Sequence, residues 1–308
     1  MFPNEHTLYI MIKNAKYIIA VVASALAIVA CTKEENSKPS NGGTPNEDLE
    51  EEIDWDDPHT GQKATVYVED VKFEMIYVEK GTFQQLMPRY RQDPLAGRVF
   101  DTAVFEDVTI EEDFLIGKYE VTQRQWLTIV DNNPSEFHSD PDLPVTDIDV
   151  WTMVRFADTL SQRTGYAFRL PTTNEWQYAA MGGIRSLHYL YAGGNYIGEV
   201  AWYAQNSSGT THRVGQLKPN ELGLYDMCGN VSEATTGEGA AERGGAFDTE
   251  LDLDNVDFRN DLKVQKWFLL APTNWFVRRD NNLGFRLAMS ASEAKKAVQN
   301  KRKNTKTK

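Results

Sequence analysis

Few side chains in this chain of 308 residues have the type and spacing that chemistry requires. The two cysteines, Cys31 and Cys228, lie far apart in sequence. The five histidines, His6, His59, His138, His188 and His212, are scattered, and no two are spaced to share a helix face and bind a metal together. One acidic run stands out: Asp248, Glu250, Asp252, Asp254 and Asp257. Alternating Asp residues can bind calcium, but the central glycine of a helix-loop-helix calcium loop is absent, so a solvated acidic loop is expected. Next comes an aromatic cluster, Trp267-Phe268-Leu269-Leu270 and Trp275-Phe276. It is either a partner surface or core packing. No G-x-S-x-G, no paired nucleophile and base, and no phosphate loop is present.

The elements around these residues divide the chain into four segments. Lys13 and Lys16 precede an apolar run from Tyr17 to Ala30, and Ile28-Val29-Ala30-Cys31 resembles a lipobox. The run is short for a membrane span and ends in small residues, so residues 1–30 are expected to be a lipoprotein signal peptide, with Cys31 the lipidated residue. An uncleaved anchor is the alternative. The start is Met1 or Met11. The segment Thr32-Lys33-Glu34-Glu35 resembles the acidic signal that sends Bacteroidota lipoproteins to the outer face of the outer membrane; a plain acidic linker is the alternative. Residues 31–65 then read as an acidic flexible tether, because Ser, Pro, Gly and a run of Asp and Glu cannot bury a core. The folded domain is expected over 66–289, and 290–308 reads as a basic, solvated, disordered tail.

Net charge is −13, and −14 once residues 1–30 are removed, since they hold two Lys and one Glu. That disfavours nucleic acid or an anionic membrane as a partner for the domain and leaves the N-terminal lipid as the membrane contact, although the basic C-terminal tail runs the other way. With Cys31 acylated, Cys228 has no partner for a disulfide, and the fold must rest on its apolar core.

Within the domain, the alternation over Val66 to Val78 predicts one strand, ended by Gly81-Thr82-Phe83. Residues 114–122 predict a strand running into a helix. Thr122 with Gln125 forms a capping box, Trp126, Ile129 and Val130 form its buried stripe, and Asn133-Pro134 stops it. Val150, Met153, Val154, Ala157 and Leu160 fall on one face of a second helix, with Gly165 at its end. Thr172 with Glu175 caps a third, short helix closed by Gly182-Gly183. Later residues are rich in Gly, Asn and aromatics and predict loops with short strands. The class is α+β, with few helices, all in the first half.

Four motifs then occur in order: Tyr119-Glu120-Val121-Thr122 with Asn133-Pro134-Ser135; Arg169-Leu170-Pro171-Thr172 with Glu175-Trp176 and Tyr178-Ala179-Ala180; Gly223-Leu224-Tyr225-Asp226-Met227-Cys228-Gly229-Asn230-Val231; and Gly244-Gly245 with Gly284-Phe285-Arg286-Leu287. Together they resemble the formylglycine-generating, or sulfatase-modifying-factor, family. The resemblance implies a variant of the C-type lectin-like fold with little regular secondary structure. It also implies a calcium loop in which Asp226 and Glu233 supply carboxylates and Gly229 and Val231 supply main-chain carbonyls. Ser232 and Ala234 depart from the family, which has tryptophans there.

The family's oxidases bind copper through two cysteines shortly after the Gly-Gly pair. Here that stretch reads Ala246-Phe247-Asp248-Thr249-Glu250-Leu251, with no thiol. Copper is not expected, and no catalytic residue is assigned. A branch that uses iron needs a His-rich helical domain, which the sequence lacks. The expected function is a lipid-anchored, non-catalytic, surface-exposed outer-membrane module that binds an envelope protein or glycan or serves as a structural part; the periplasmic face is the alternative location. Possible partner residues are Trp267, Phe268, Trp275 and Phe276. The competing reading is an oxidoreductase with a rebuilt site.

Overall fold

The computed structural model describes residues 52–93, 97–237, 242–250 and 279–306. Cys31, the acids 252, 254 and 257, and Trp267, Phe268, Trp275 and Phe276 lie outside them.

A four-stranded antiparallel sheet forms the centre. Its order is β1 (Lys63–Val68), β2 (Val71–Val78), β5 (Phe114–Gly117) and β9 (Ala288–Ser290). Both faces are covered. Phe73, Met75 and Tyr77 of β2 enter one core, while Ile76 and Val78 enter the other. A strand buried on both faces loses the polar alternation of a half-exposed one. The single strand expected over 66–78 is two. Residues Glu69 and Asp70 form a two-residue hairpin turn, and Glu69 takes φ of 56° without the glycine that signals such a turn. Gly81 does not end a strand. It begins β3 (Gly81–Asp93), which pairs only with β4 (Gly97–Ile110) in a long ribbon whose register shifts between Arg89 and Tyr90.

The helices follow their capping residues. Thr122 and Gln125 make the reciprocal box that opens α1 (Gln123–Leu127). This helix is shorter than its apolar stripe suggested, and Ile129 and Val130 lie beyond it, half-buried. Helix α2 (Val150–Thr164) starts at Asp149, whose side chain accepts from the Thr152 amide, and ends at Gly165 with φ of 75°. Helix α3 (Thr173–Ala180) opens on the Thr172–Glu175 box. Trp126 of α1 stacks on Phe156 of α2 at 5.1 Å, which ties both helices to the first core. A small sheet of β7 (Glu242–Arg243), β6 (Ser232–Ala234) and β8 (Leu283–Gly284) joins the motif-bearing loops.

Two boundaries differ from expectation. Trp55 is part of the core, so folded structure begins ahead of residue 66. The stretch read as a solvated tail forms α4 (Ala291–Lys306), with Ala291 and Ala294 buried and Val298 packed on the first core. Small apolar residues three and four apart give this helix a face to bury, despite its many lysines.

Candidate functional site

The motifs converge on a buried polar centre that the sequence did not reveal as one site. Glu120 follows β5, Asn230 and Val231 lead into β6, Glu233 sits on β6, and Arg286 links β8 to β9. Glu120, Asn230, Glu233 and Arg286 are all fully buried. Arg286 donates from Nε to Glu233 Oε2 and from Nη2 to Glu233 Oε1, both at 2.6 Å. It also donates from Nη1 to the Gly117 carbonyl at 2.8 Å and from Nη2 to the Tyr225 carbonyl at 3.0 Å. Trp176 Nε1 donates to Glu233 Oε2 at 2.7 Å. Glu120 accepts from Asn230 Nδ2 at 2.6 Å and from the Val231 amide at 3.1 Å. Five loops and strands are thereby held by one guanidinium and two carboxylates.

Negative charge exceeds positive charge here. Burial pushes the Glu120 carboxyl well above its usual range, and the neighbouring Asp226 and Glu233 push the same way. Burial likewise raises Asp226 to about 6, against the pull of the Gly215 amide and of Arg286. For Arg286, burial disfavours the charge, but Glu233 outweighs it and the guanidinium is held charged.

Asp226 is buried, and its Oδ2 accepts from the Gly215 amide at 2.7 Å. Its carboxyl is raised chiefly by burial, and a cation beside it would favour the charged form. Glu233 is committed to Arg286 and Trp176, although Oε1 accepts a single hydrogen bond and retains a lone pair. Among the described residues no three His, Cys, Asp or Glu side chains gather as a metal site, so a cation here would lean on main-chain oxygens. A calcium ion there would take carboxylate oxygens from Asp226 and Glu233 and main-chain carbonyls from Gly229 and Val231. Gly229 has a further role. Its φ is 76°, and a Cβ there would lie 2.1 Å from the Trp202 carbonyl oxygen. Only glycine lets the loop approach that backbone.

The place of the family's thiol pair is filled by a hydrogen-bonded turn. After Gly244-Gly245, Ala246 and Phe247 are buried. Phe247 packs edge-on against Phe137 at 5.5 Å, its amide donates to the Asn230 carbonyl, and its carbonyl accepts from Ser207 Oγ. The Ala246 amide donates to Thr249 Oγ1 at 2.8 Å. Asp248 accepts from Asn282 Nδ2 at 2.9 Å. Cys228 is buried, its Sγ accepts from the Ala192 amide at 3.4 Å, and burial pushes the thiol up to about 12. Such a thiol stays protonated and unreactive.

The described histidines stay apart. His212 stacks on Trp202 at 3.8 Å with Nε2 at 2.8 Å from the Ser207 carbonyl, while His138 faces main-chain carbonyls and His59 faces Asp57. Ser232 and Ala234 are both buried, so the missing tryptophans leave no exposed gap at these positions. Glu120 and Arg286 were visible only as motif letters. The signal was each charge set between apolar neighbours, Tyr119 and Val121 on one side and Phe285 and Leu287 on the other.

The family model described as a sulfatase-modifying factor enzyme 1-like domain matches residues 63–291. Chaperone protein LppX of Paenibacillus barcinonensis is 30% identical over 213 residues, covering 53% of this chain and 71% of that protein. Serine/threonine-protein kinase pkn1 of Chlamydia pneumoniae is 42% identical over 67 residues, 21% of this chain and 10% of the kinase. Two solved structures share the fold. Treponema denticola variable protein 1 has 24% identity and a TM-score of 0.60, covering 74% of this chain and 99% of that one. PvdO from Pseudomonas aeruginosa has 22% identity and a TM-score of 0.57, covering 76% and 100%.

Proposed function

The chain belongs to the sulfatase-modifying factor enzyme 1-like family, and from that premise we propose that it is a lipid-anchored, non-catalytic member that binds a partner at the cell envelope. One observation carries this reading. Where the family's oxidases place two copper-binding cysteines, this chain has a closed turn through Ala246, Phe247 and Thr249 with no thiol, and its remaining described cysteine is sealed in the core. Copper(I) needs soft ligands, and a single buried, protonated thiol cannot replace a thiolate pair. The scaffold around that turn is intact, which suits a module kept for its shape.

The lipobox-like Cys31 supports an outer-membrane anchor, and the acids behind it support the outward face. A protein or glycan is the partner class; a relative that is named a chaperone favours protein. In this reading Asp226 and Glu233, with the carbonyls of Gly229 and Val231, hold a structural calcium that neutralises the buried acidic centre.

The decisive test is oxygen uptake by the copper-supplemented chain on a cysteine-containing peptide. No turnover above a protein-free blank is expected, and turnover would establish an oxidase with a rebuilt site. Mass analysis of Cys31 for acylation and protease shaving of intact cells test the anchor and the face. An unmodified Cys31 defeats the anchor, and protection from the protease places the domain in the periplasm.

A further inference from the structure

Helix α4 carries two faces that its packing keeps separate. At about 100° per residue, Ala291, Ala294 and Val298 share an arc, and these are the residues that meet the core. Lys301 stands beside them, its Nζ 3.8 Å from the Tyr166 ring centroid. Lys295, Lys296, Arg302 and Lys303 fall together on the adjacent arc, about 120° wide. Lys296, Arg302 and Lys303 are exposed and Lys295 is half-buried. Glu293, the helix's one acid, falls outside that arc. Among the described residues neither Lys296 nor Arg302 joins an ion pair.

The rest of the chain has the opposite sign. Residues 290–308 hold six Lys, one Arg and one Glu, a net +6 within a total of −13, so the remainder carries −19. A disordered basic end would spread its charge in all directions. A helix docked by Ala291, Ala294 and Val298 holds its cations together on one arc, even though Glu111, Glu112 and Asp113 line a cavity with Lys295 and Glu52 lines one with Arg302.

We propose that this stripe docks the domain on the phosphate-bearing headgroups of an anionic membrane surface. The choice of a membrane over an acidic protein rests on the anchored reading and on where the described chain begins. Glu52 lines the same cavity, about 180 Å³, as Val298 and Arg302 of α4. Glu52, where the described residues begin, therefore lies on the α4 side, and 20 residues separate it from Cys31. Fully extended they span at most about 70 Å, so an acylated Cys31 keeps α4 within that distance of a lipid surface. The stripe then turns α4 toward the lipid surface.

The test uses the chain from Cys31 without acylation, so that α4 is measured apart from the lipid. Sedimentation with phosphatidylglycerol-rich vesicles at low salt is compared with phosphatidylcholine vesicles. Binding to the first, release at high salt and neglect of the second are expected. Each cation near an anionic surface is worth about five-fold in partitioning, so the pair Lys296→Gln and Arg302→Gln should weaken binding by about thirty-fold. Both side chains are exposed and unpaired, so the melting temperature should not move. Glu293→Gln, off the stripe, should not weaken binding.

Equal binding to both vesicle types, undiminished binding by the double variant, or capture of an acidic protein with no vesicle binding would each overturn the proposal. The separate mass analysis of Cys31 reports on the anchor, so failure of α4 and failure of the anchored reading are distinguishable.

Discussion

Replacing Arg286 by methionine should be among the most damaging single changes available to this fold. The side chain is fully buried and makes four hydrogen bonds, two to Glu233 and one each to the Gly117 and Tyr225 carbonyls, and it attracts Glu120 and Asp226 at longer range. Methionine keeps similar bulk, so cavity formation is a small part of the effect. Breaking a buried pair from one side costs about 3–5 kcal/mol, because the remaining charge has no compensation. The two carbonyls left without a donor add about 1–3 kcal/mol each. The total, about 5–11 kcal/mol before relaxation, rivals the whole stability of an ordinary domain.

The sign with pH is also fixed. Without the guanidinium, the buried Glu120 carboxyl loses a charge that lowers it and holds its proton still more tightly in the folded state than in the unfolded one. Raised carboxyls give stability that is present at low pH and lost as pH rises through the folded value. The deficit of Arg286→Met should therefore be smaller near about pH 5 than near about pH 8. Denaturant unfolding at both pH values measures this, and Glu233→Gln paired with Arg286→Met completes a double-mutant cycle. A loss below about 2 kcal/mol, or a deficit independent of pH, would refute the view that one guanidinium neutralises this centre.

Three further outcomes follow from the geometry. Gly229→Ala should cost about 3 kcal/mol or more, read as a fall in melting temperature, because its Cβ would meet the Trp202 carbonyl at 2.1 Å. Glu175 should supply stability that fades in acid: burial raises its carboxyl, but Arg169 and the Thr172 cap outweigh it and hold the value low. A lowered carboxyl gives stability present above its unfolded pKa and lost as pH falls, so Glu175→Gln should flatten the acid limb of the stability curve. Calcium should raise the melting temperature of the parent, and Asp226→Asn should abolish the rise; an unchanged melting temperature in the parent would remove calcium from the site.

The parts legible in the sequence were those decided locally. The Thr122–Gln125 and Thr172–Glu175 boxes, the α2 stripe and Gly165 involve partners within a turn or two, so their pattern alone carries the information. The hairpin at Glu69-Asp70 was hidden because neither residue type announces a left-handed turn. The polar centre was hidden for a different reason. Asn230 and Glu120 are 110 positions apart, and Arg286 and Gly117 are 169 apart, so no window of sequence contains the site. Helix α4 had its signal, Ala291, Ala294 and Val298 at helical spacing, but the lysines around it invited a solvated reading.

The route of the sheet has a consequence for how this chain is made. Strand β9 closes the sheet against β5, and Arg286 just before it is the cation around which Glu120 and Glu233 are buried. Residues 63–117 can pair among themselves as soon as they emerge, yet they leave a hydrophobic strand edge at β5 and an uncompensated acidic pocket until residue 290 arrives. Most of the chain must therefore wait, partly assembled, for its last strand. High sequence separation of this kind slows folding and prolongs exposure of sticky surface. A chain so ordered depends on being delivered whole, and premature truncation by even two dozen residues should leave an aggregation-prone remnant rather than a smaller working domain.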